Sequence, residues 1–102
     1  MRNLVFLNRF DVSSLPIITS LAAKSSQLSI VLAQDAVYFA IENGPCHTSI
    51  RKLIEKGTKL YALATDVSRR GIREKLLSGV ELVDYDALVE LLFDKDQMVI
   101  NM

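Results

Sequence analysis

The residues of this chain that could do chemistry sit where apolar runs stop. The stretch KLYALATDVSRRGI, Lys59 to Ile72, reads as a buried strand followed by Thr65 and Asp66, then by a turn carrying Arg69, Arg70 and Gly71. In an open α/β sheet the space beyond a strand's carboxyl end is where ligands bind, because side chains there leave the core and face a crevice. Three other apolar runs end in the same way, at Asn8, at Gln34 with Asp35, and at Asp84. The candidate strand-end or docking site is therefore Gln34, Asp35, Asp66, Arg69, Arg70, Gly71 and Asp84. Asp35, Asp66 and Asp84 have a second reading as helix caps, which any helix start requires to satisfy its free N–H groups.

Other chemistries lack their residues. No glycine-rich loop follows any strand, so no dinucleotide or P-loop phosphate site is expected. Paired catalytic carboxylates, a Ser/His/Asp set and zinc-ligand spacing are not readable, and neither a cofactor nor a metal is expected. The single cysteine, Cys46, stands in GPCHTSI beside the single histidine, His47, ahead of a helix expected to start at Thr48 or Ser49. A helix amino terminus and a neighbouring imidazolium both lower a thiol pKa, which makes Cys46 a candidate nucleophile. A lone cysteine serves equally well as a small apolar residue. It has no partner for an internal disulfide, which points to a reducing, cytoplasmic setting.

With 102 residues, half of them apolar, the chain has room for one core, and a single domain over 1–102 is expected. Lys plus Arg and Asp plus Glu both number 12, so net charge favours neither nucleic acid nor membrane. The charge is unevenly spread. Residues 51–75 carry eight basic residues against three acidic ones, a net of +5, whereas from Leu76 onward six acidic residues face only Lys95, a net of −5. Such blocks mark either a partner-binding face or solvated helix surface. The amino-terminal run in MRNLVFLNRF is too short for a signal peptide, and no run approaches the roughly 18 to 20 apolar residues of a membrane span. A soluble, cytoplasmic protein with no membrane partner is the expectation.

These residues need elements to position them. Leu4 to Leu7 reads as a strand, followed by a helix capped by Ser13 or Ser14, with Pro16 in its first turn and Leu15, Ile18, Leu21 and Ala22 on one face. LSIVLA is a second strand, and Asp35 a natural cap for a helix AVYFAIEN that Gly44-Pro45 stops. Ile50, Leu53 and Ile54 mark another helix, closed by Gly57. KLYALA is the third strand, VELV the fourth, YDALVELLF a helix with Leu88, Leu91 and Leu92 inward, and DKD turns the chain into a last run, MVI. Strands separated by helices give a three-layer α/β/α domain with a mainly parallel sheet of about five short strands. In AVYFAI the apolar residues go all the way round, and a helix without a polar face is buried on more than one side. Val37, Tyr38, Phe39 and Ile41 are thus a candidate subunit interface, with burial under the following loop as the other reading.

IVLAQDAVYFAI, KLYALATDVSRRGI and GVELVDYDALVELL, in that order, resemble the DsrH/TusB branch of the small DsrE/DsrF/DsrH-like sulfur-relay proteins. The resemblance runs from Leu28 to the carboxyl terminus. Its most specific features are Gln34-Asp35, Asp66 with Arg70-Gly71, and Asp84-Tyr85; the first helix and the loop from Asn43 to Ser49 match less well. It implies a part in moving persulfide sulfur between proteins, toward 2-thiolation of the tRNA wobble uridine or in dissimilatory sulfur metabolism. It also implies DsrE-like and DsrF-like partner subunits in a hetero-oligomer, and at most an indirect link to tRNA. Sulfur transfer needs a thiolate that attacks a donor persulfide and yields the sulfur to the next thiol. DsrE-like subunits carry that cysteine at the end of the strand leading into the Arg-Arg-Gly turn. The corresponding residue here, eight before Gly71, is Leu63, and the first helix, Leu15 to Ser25, holds no cysteine either. The resemblance therefore implies a non-catalytic subunit. A sulfurtransferase using Cys46, and a homo-oligomeric protein binding a ligand at the strand ends, stand as alternatives.

Overall fold

The computed structural model describes residues 2–25, 27–94 and 96–102. Five strands form one sheet: β1 Arg2–Leu7, β2 Gln27–Leu32, β3 Lys59–Leu63, β4 Val80–Val83 and β5 Gln97–Asn101. All neighbours pair in parallel, in the order β4-β3-β2-β1-β5. Four helices connect them: α1 Leu15–Lys24, α2 His47–Glu55, α3 Ala64–Arg69 and α4 Tyr85–Leu92. The expected α/β architecture is the observed one. Within the DKD turn, Lys95 lies outside the described residues.

Strand order decides which helix covers which face. From β1 to β4 each crossover moves one place in the same direction, and right-handed crossovers that advance one way put their helices on one face. The connection from β4 to β5 runs back across the whole sheet, so α4 lies on the other face. The packing agrees. Val5, Ile30, Leu32, Leu60 and Ala62 join Ile18, Phe39, Ile50, Leu53 and Val67 in the larger core. Leu4, Val31, Ala33 and Leu63 meet Leu88 of α4 in a smaller one.

AVYFAI departs from its expected form. Residues Gln34–Ala40 make a 3-10 helix, not an α-helix, and Asp35 lies inside it while Ala33 takes the cap position. Val37 and Phe39 are fully buried within the chain, so neither is available to a subunit interface; Tyr38 and Ile41 are half-buried. The covering is local. The Phe10 ring packs edge-on against Phe39 at 4.8 Å between centroids. The segment from Arg73 to Leu77 closes the other side, with Leu77 N–H donating to Ala40 O at 2.8 Å and Glu42 N–H to Lys75 O at 2.7 Å. A stretch apolar all round is here wrapped by its own chain, with Phe10 and residues 73–77 as the cover where the sequence reading named the following loop.

Other boundaries fall within a residue or two of expectation. Ser14 holds the α1 cap position without a side-chain bond, and Asp11 instead accepts from Ser13 N–H at 3.0 Å to cap the short turn ahead of it. α2 starts at His47, with Cys46 at its cap. Among the described residues no helix is long and apolar enough to cross a membrane.

Truncating the buried ring of Phe39 leaves a cavity in the larger core. Phe39→Ala is expected to lower the unfolding free energy by about 3 to 5 kcal/mol, measured by urea denaturation, with Tyr38→Ala costing clearly less.

Candidate functional site

Beyond the carboxyl ends of β1, β2 and β3 opens a cleft of about 730 Å³. Its apolar lining comes from strand ends and α4: Phe6, Ala33, Leu63 and Leu88. Its polar lining comes from the segments that leave the strands: Asn8, Gln34, Asp35, Asp66, Arg69 and Arg70. Tyr38 and Tyr85 complete it.

One carboxylate organises the polar side. Asp66, in the first turn of α3, is only 4% exposed. Its Oδ2 accepts the backbone N–H of Gln34 at 2.7 Å, which ties the end of β2 to the start of α3. Gln34 needs the support, because its φ of 51° is left-handed, a conformation that costs a side-chain-bearing residue about 1 to 2 kcal/mol. Asp66 Oδ1 lies 3.7 Å from Arg70 Nη1 at the i, i+4 spacing. The shorter contacts of Arg70 go to Asp35: Nη2 at 2.8 Å and Nε at 3.1 Å, both on Oδ1. Arg70 Nη1 also donates to Asp66 O at 3.3 Å, and its Cζ lies 6.0 Å from the centre of the Tyr38 ring, a cation–π distance. The hydrogen bond to Asp35 raises the guanidinium pKa above its ordinary value. Arg69, by contrast, is exposed and joins no ion pair or side-chain hydrogen bond among the described residues.

The expected site residues divide on these distances. Gln34, Asp35, Asp66, Arg69 and Arg70 are brought together. Asp35 and Asp66 do not cap helices; they hold Arg70 and Gln34. Asp84 is a cap, accepting Ala87 N–H at 2.8 Å, and enters the site only by starting the helix that supplies Tyr85 and Leu88. Gly71 lies outside the lining, and its φ of 63° serves the turn that ends α3. The sequence reading did not place Phe6, Ala33, Tyr85 or Leu88 in the site; the signals for Tyr85 were its place directly after a polar strand end and the Asp84-Tyr85 pair of the resemblance.

Cys46 is elsewhere. It is 3% exposed in the larger core, at the cap of α2, and burial pushes its thiol pKa up, opposite to the shift expected from a helix terminus and an imidazolium. His47 turns to its own loop and helix, with Nδ1 accepting Asn43 N–H at 2.8 Å. The cleft can thus bind and orient a partner group through guanidinium, carboxylates and phenols, but no cysteine lines it.

Residues 10–98 match the model of the family described as DsrH like protein. The chain is 32% identical over 71 residues to Protein TusB of Pectobacterium parmentieri, covering 70% of this chain and 72% of that one. It is 36% identical over 75 residues to Protein TusB of Photorhabdus laumondii subsp. laumondii, covering 74% of each. The fold is also that of two solved structures. One is a protein of unknown function from Methanobacterium thermoautotrophicum, with a TM-score of 0.85, 16% identity and coverage of 99% and 98%. The other is the ychN protein from E. coli, with a TM-score of 0.84, 19% identity and full coverage of both chains.

Two outcomes follow from this geometry. Asp66→Ala strands the Gln34 N–H and removes one of the two carboxylates that face Arg70, and is expected to cost about 1 to 3 kcal/mol in urea unfolding. For Cys46, thiolate is the reacting form, so a raised pKa means slow alkylation: at pH 8 the native thiol should react at least roughly tenfold slower than the same chain in denaturant. The folded chain holds this proton more tightly than the unfolded one. The thiol's contribution to stability is therefore complete below its unfolded pKa and is lost as pH rises toward the folded one.

Proposed function

The chain belongs to the DsrH-like family, and on that premise we propose that it is a non-catalytic subunit of a cytoplasmic sulfur-relay assembly. It positions DsrE-like and DsrF-like partners while sulfane sulfur travels on their cysteines. One observation carries this reading: the position where the resembling DsrE-like subunits keep the carrier cysteine is Leu63, and Leu63 lines the strand-end cleft. Persulfide transfer requires a thiolate to attack the outer sulfur of a donor persulfide and release the donor thiolate, and a leucine side chain has no electron pair to do this. The cleft keeps a polar frame around that position, with Arg70 held by Asp35 and with Arg69 exposed beside it. Such a frame suits docking. The terminal acceptor on this reading is either 2-thiolation of the tRNA wobble uridine or a step of dissimilatory sulfur metabolism, and any link to tRNA runs through the partners.

The test is a labelled relay. A cysteine desulfurase with sulfur-labelled cysteine, the DsrE-like and DsrF-like chains and this chain are mixed, and each subunit is assayed for reductant-labile label. Label is expected on a partner and not on this chain, and Cys46→Ser should leave both assembly and transfer unchanged. Stoichiometric label on this chain that passes to an acceptor and vanishes in Cys46→Ser would make it a sulfurtransferase instead.

A further inference from the structure

The two faces of the sheet are covered unequally, and the thinner side has an unfinished surface. One face carries α1, α2 and α3; the other carries α4 alone, a helix of eight residues. α4 turns Leu88, Leu91 and Leu92 toward the sheet. Along one exposed flank Tyr85 and Val89 are 56% and 48% exposed, and Phe93, directly after the helix, is 77% exposed. Positions i, i+4 and i+8 stack along one helix face, so these three make a continuous apolar stripe on a helix that is already apolar beneath. An exposed apolar flank that continues an already apolar inner face is a surface fitted for covering.

The charge around the stripe states what covers it. Asp86 and Glu90 are exposed on α4, Glu81 and Asp84 are exposed just before it, and no Lys or Arg occurs from Val80 to Asp94. We propose that the outer face of α4 is the docking surface for a different subunit, one presenting an apolar patch bordered by Lys and Arg. This deepens the relay-subunit reading and rests on it. A second copy of this chain is the poorer occupant on charge. A two-fold pairing of α4 with α4 sets Asp86 and Glu90 against their own equivalents, which repel. The chain's own basic segment, residues 51–75, has no exposed large apolar side chain among the described residues to meet the stripe. Two aromatics in three positions are the composition of an interface anchor. Tyr85 belongs both to the stripe and to the cleft lining, so a subunit seated on α4 stands at the cleft mouth beside Leu63 and Arg69.

The experiment mixes the purified chain with the DsrE-like and DsrF-like chains of the same genome and reads complex mass by light scattering and affinity by calorimetry. Val89→Asp, Phe93→Asp and Glu90→Lys are compared with Ile17→Asp, which alters an equally exposed apolar residue on α1. The wild-type complex is expected to form, the three α4 variants to weaken it at least roughly tenfold, and Ile17→Asp to leave it unchanged. Urea midpoints confirm that each variant is folded, and Glu90→Lys keeps the test open should an aspartate in the stripe unfold the helix. A complex of full affinity in all three α4 variants would overturn the docking surface and leave the relay-subunit reading standing. A wild-type chain that binds neither partner would sink that reading, and the choice of occupant with it. Self-association lost in Phe93→Asp would then assign the stripe to a second copy, and a strict monomer would leave it no occupant at all.

Discussion

The carboxylate of Asp66 joins the parts of this molecule that would otherwise be separate loops. A buried carboxylate is costly to desolvate unless it is hydrogen-bonded and faces a positive charge. Asp66 meets both conditions, accepting Gln34 N–H with one oxygen and facing Arg70 with the other. The chain leaves β2 through a left-handed residue that is not glycine, which only a fixed neighbour can hold in place. That exit sets the course of Gln34–Ala40, which places Asp35 within reach of Arg70 and drives Phe39 into the core. Asp66 therefore fixes the shape of the cleft rim and the seating of the largest fully buried side chain.

The strand order supplies the second constraint. Because β5 returns beside β1, the connection from β4 has to cross the entire sheet, and its short helix is all that covers that face. Phe6, Tyr61 and Val99 consequently remain only partly buried there. The same crossing brings the amino-terminal end of α4 to the carboxyl ends of the strands, where Tyr85 and Leu88 become a wall of the cleft. Cleft and apolar stripe are two consequences of one connection.

Much of this was legible in the residues. Short apolar runs alternating with helical spacing identify the five strands and the parallel sheet, because each run is long enough for a buried strand and too short for a buried helix. The polar strand ends point to the edge at which the cleft opens. Where the reading fell short, one local pattern had two tertiary outcomes. Asp35, Asp66 and Asp84 each follow a strand and precede a helical turn, yet only Asp84 caps. The other two are drawn into a network by Arg70, thirty-five residues from Asp35. The all-round apolarity of AVYFAI fits a subunit interface or a lid over the core equally well. Only the return of residues 73–77 across it decides, and that pairing is non-local. Cys46 at a helix start kept two readings, nucleophile or small apolar residue, because the sequence shows its neighbours along the chain and not the core that surrounds it.

Leu63 connects the cleft to the stripe. In the resembling DsrE-like subunits the equivalent position bears the thiol, and a thiol that is to attack a donor persulfide has to stay accessible. Here the side chain is buried with Leu4, Val31, Ala33 and Leu88, the small cluster that seats α4 on the sheet. Burying a leucine is worth about 1.5 to 3 kcal/mol, and on a face covered by a single eight-residue helix that contribution is concentrated on the element carrying Tyr85 and Val89. Leu63 thus gives the cleft a side chain that cannot carry sulfur and also anchors the helix with the exposed apolar stripe. On the proposed relay-subunit reading both effects serve the holding of partners, since a rigid α4 presents its stripe with little ordering left to do on binding.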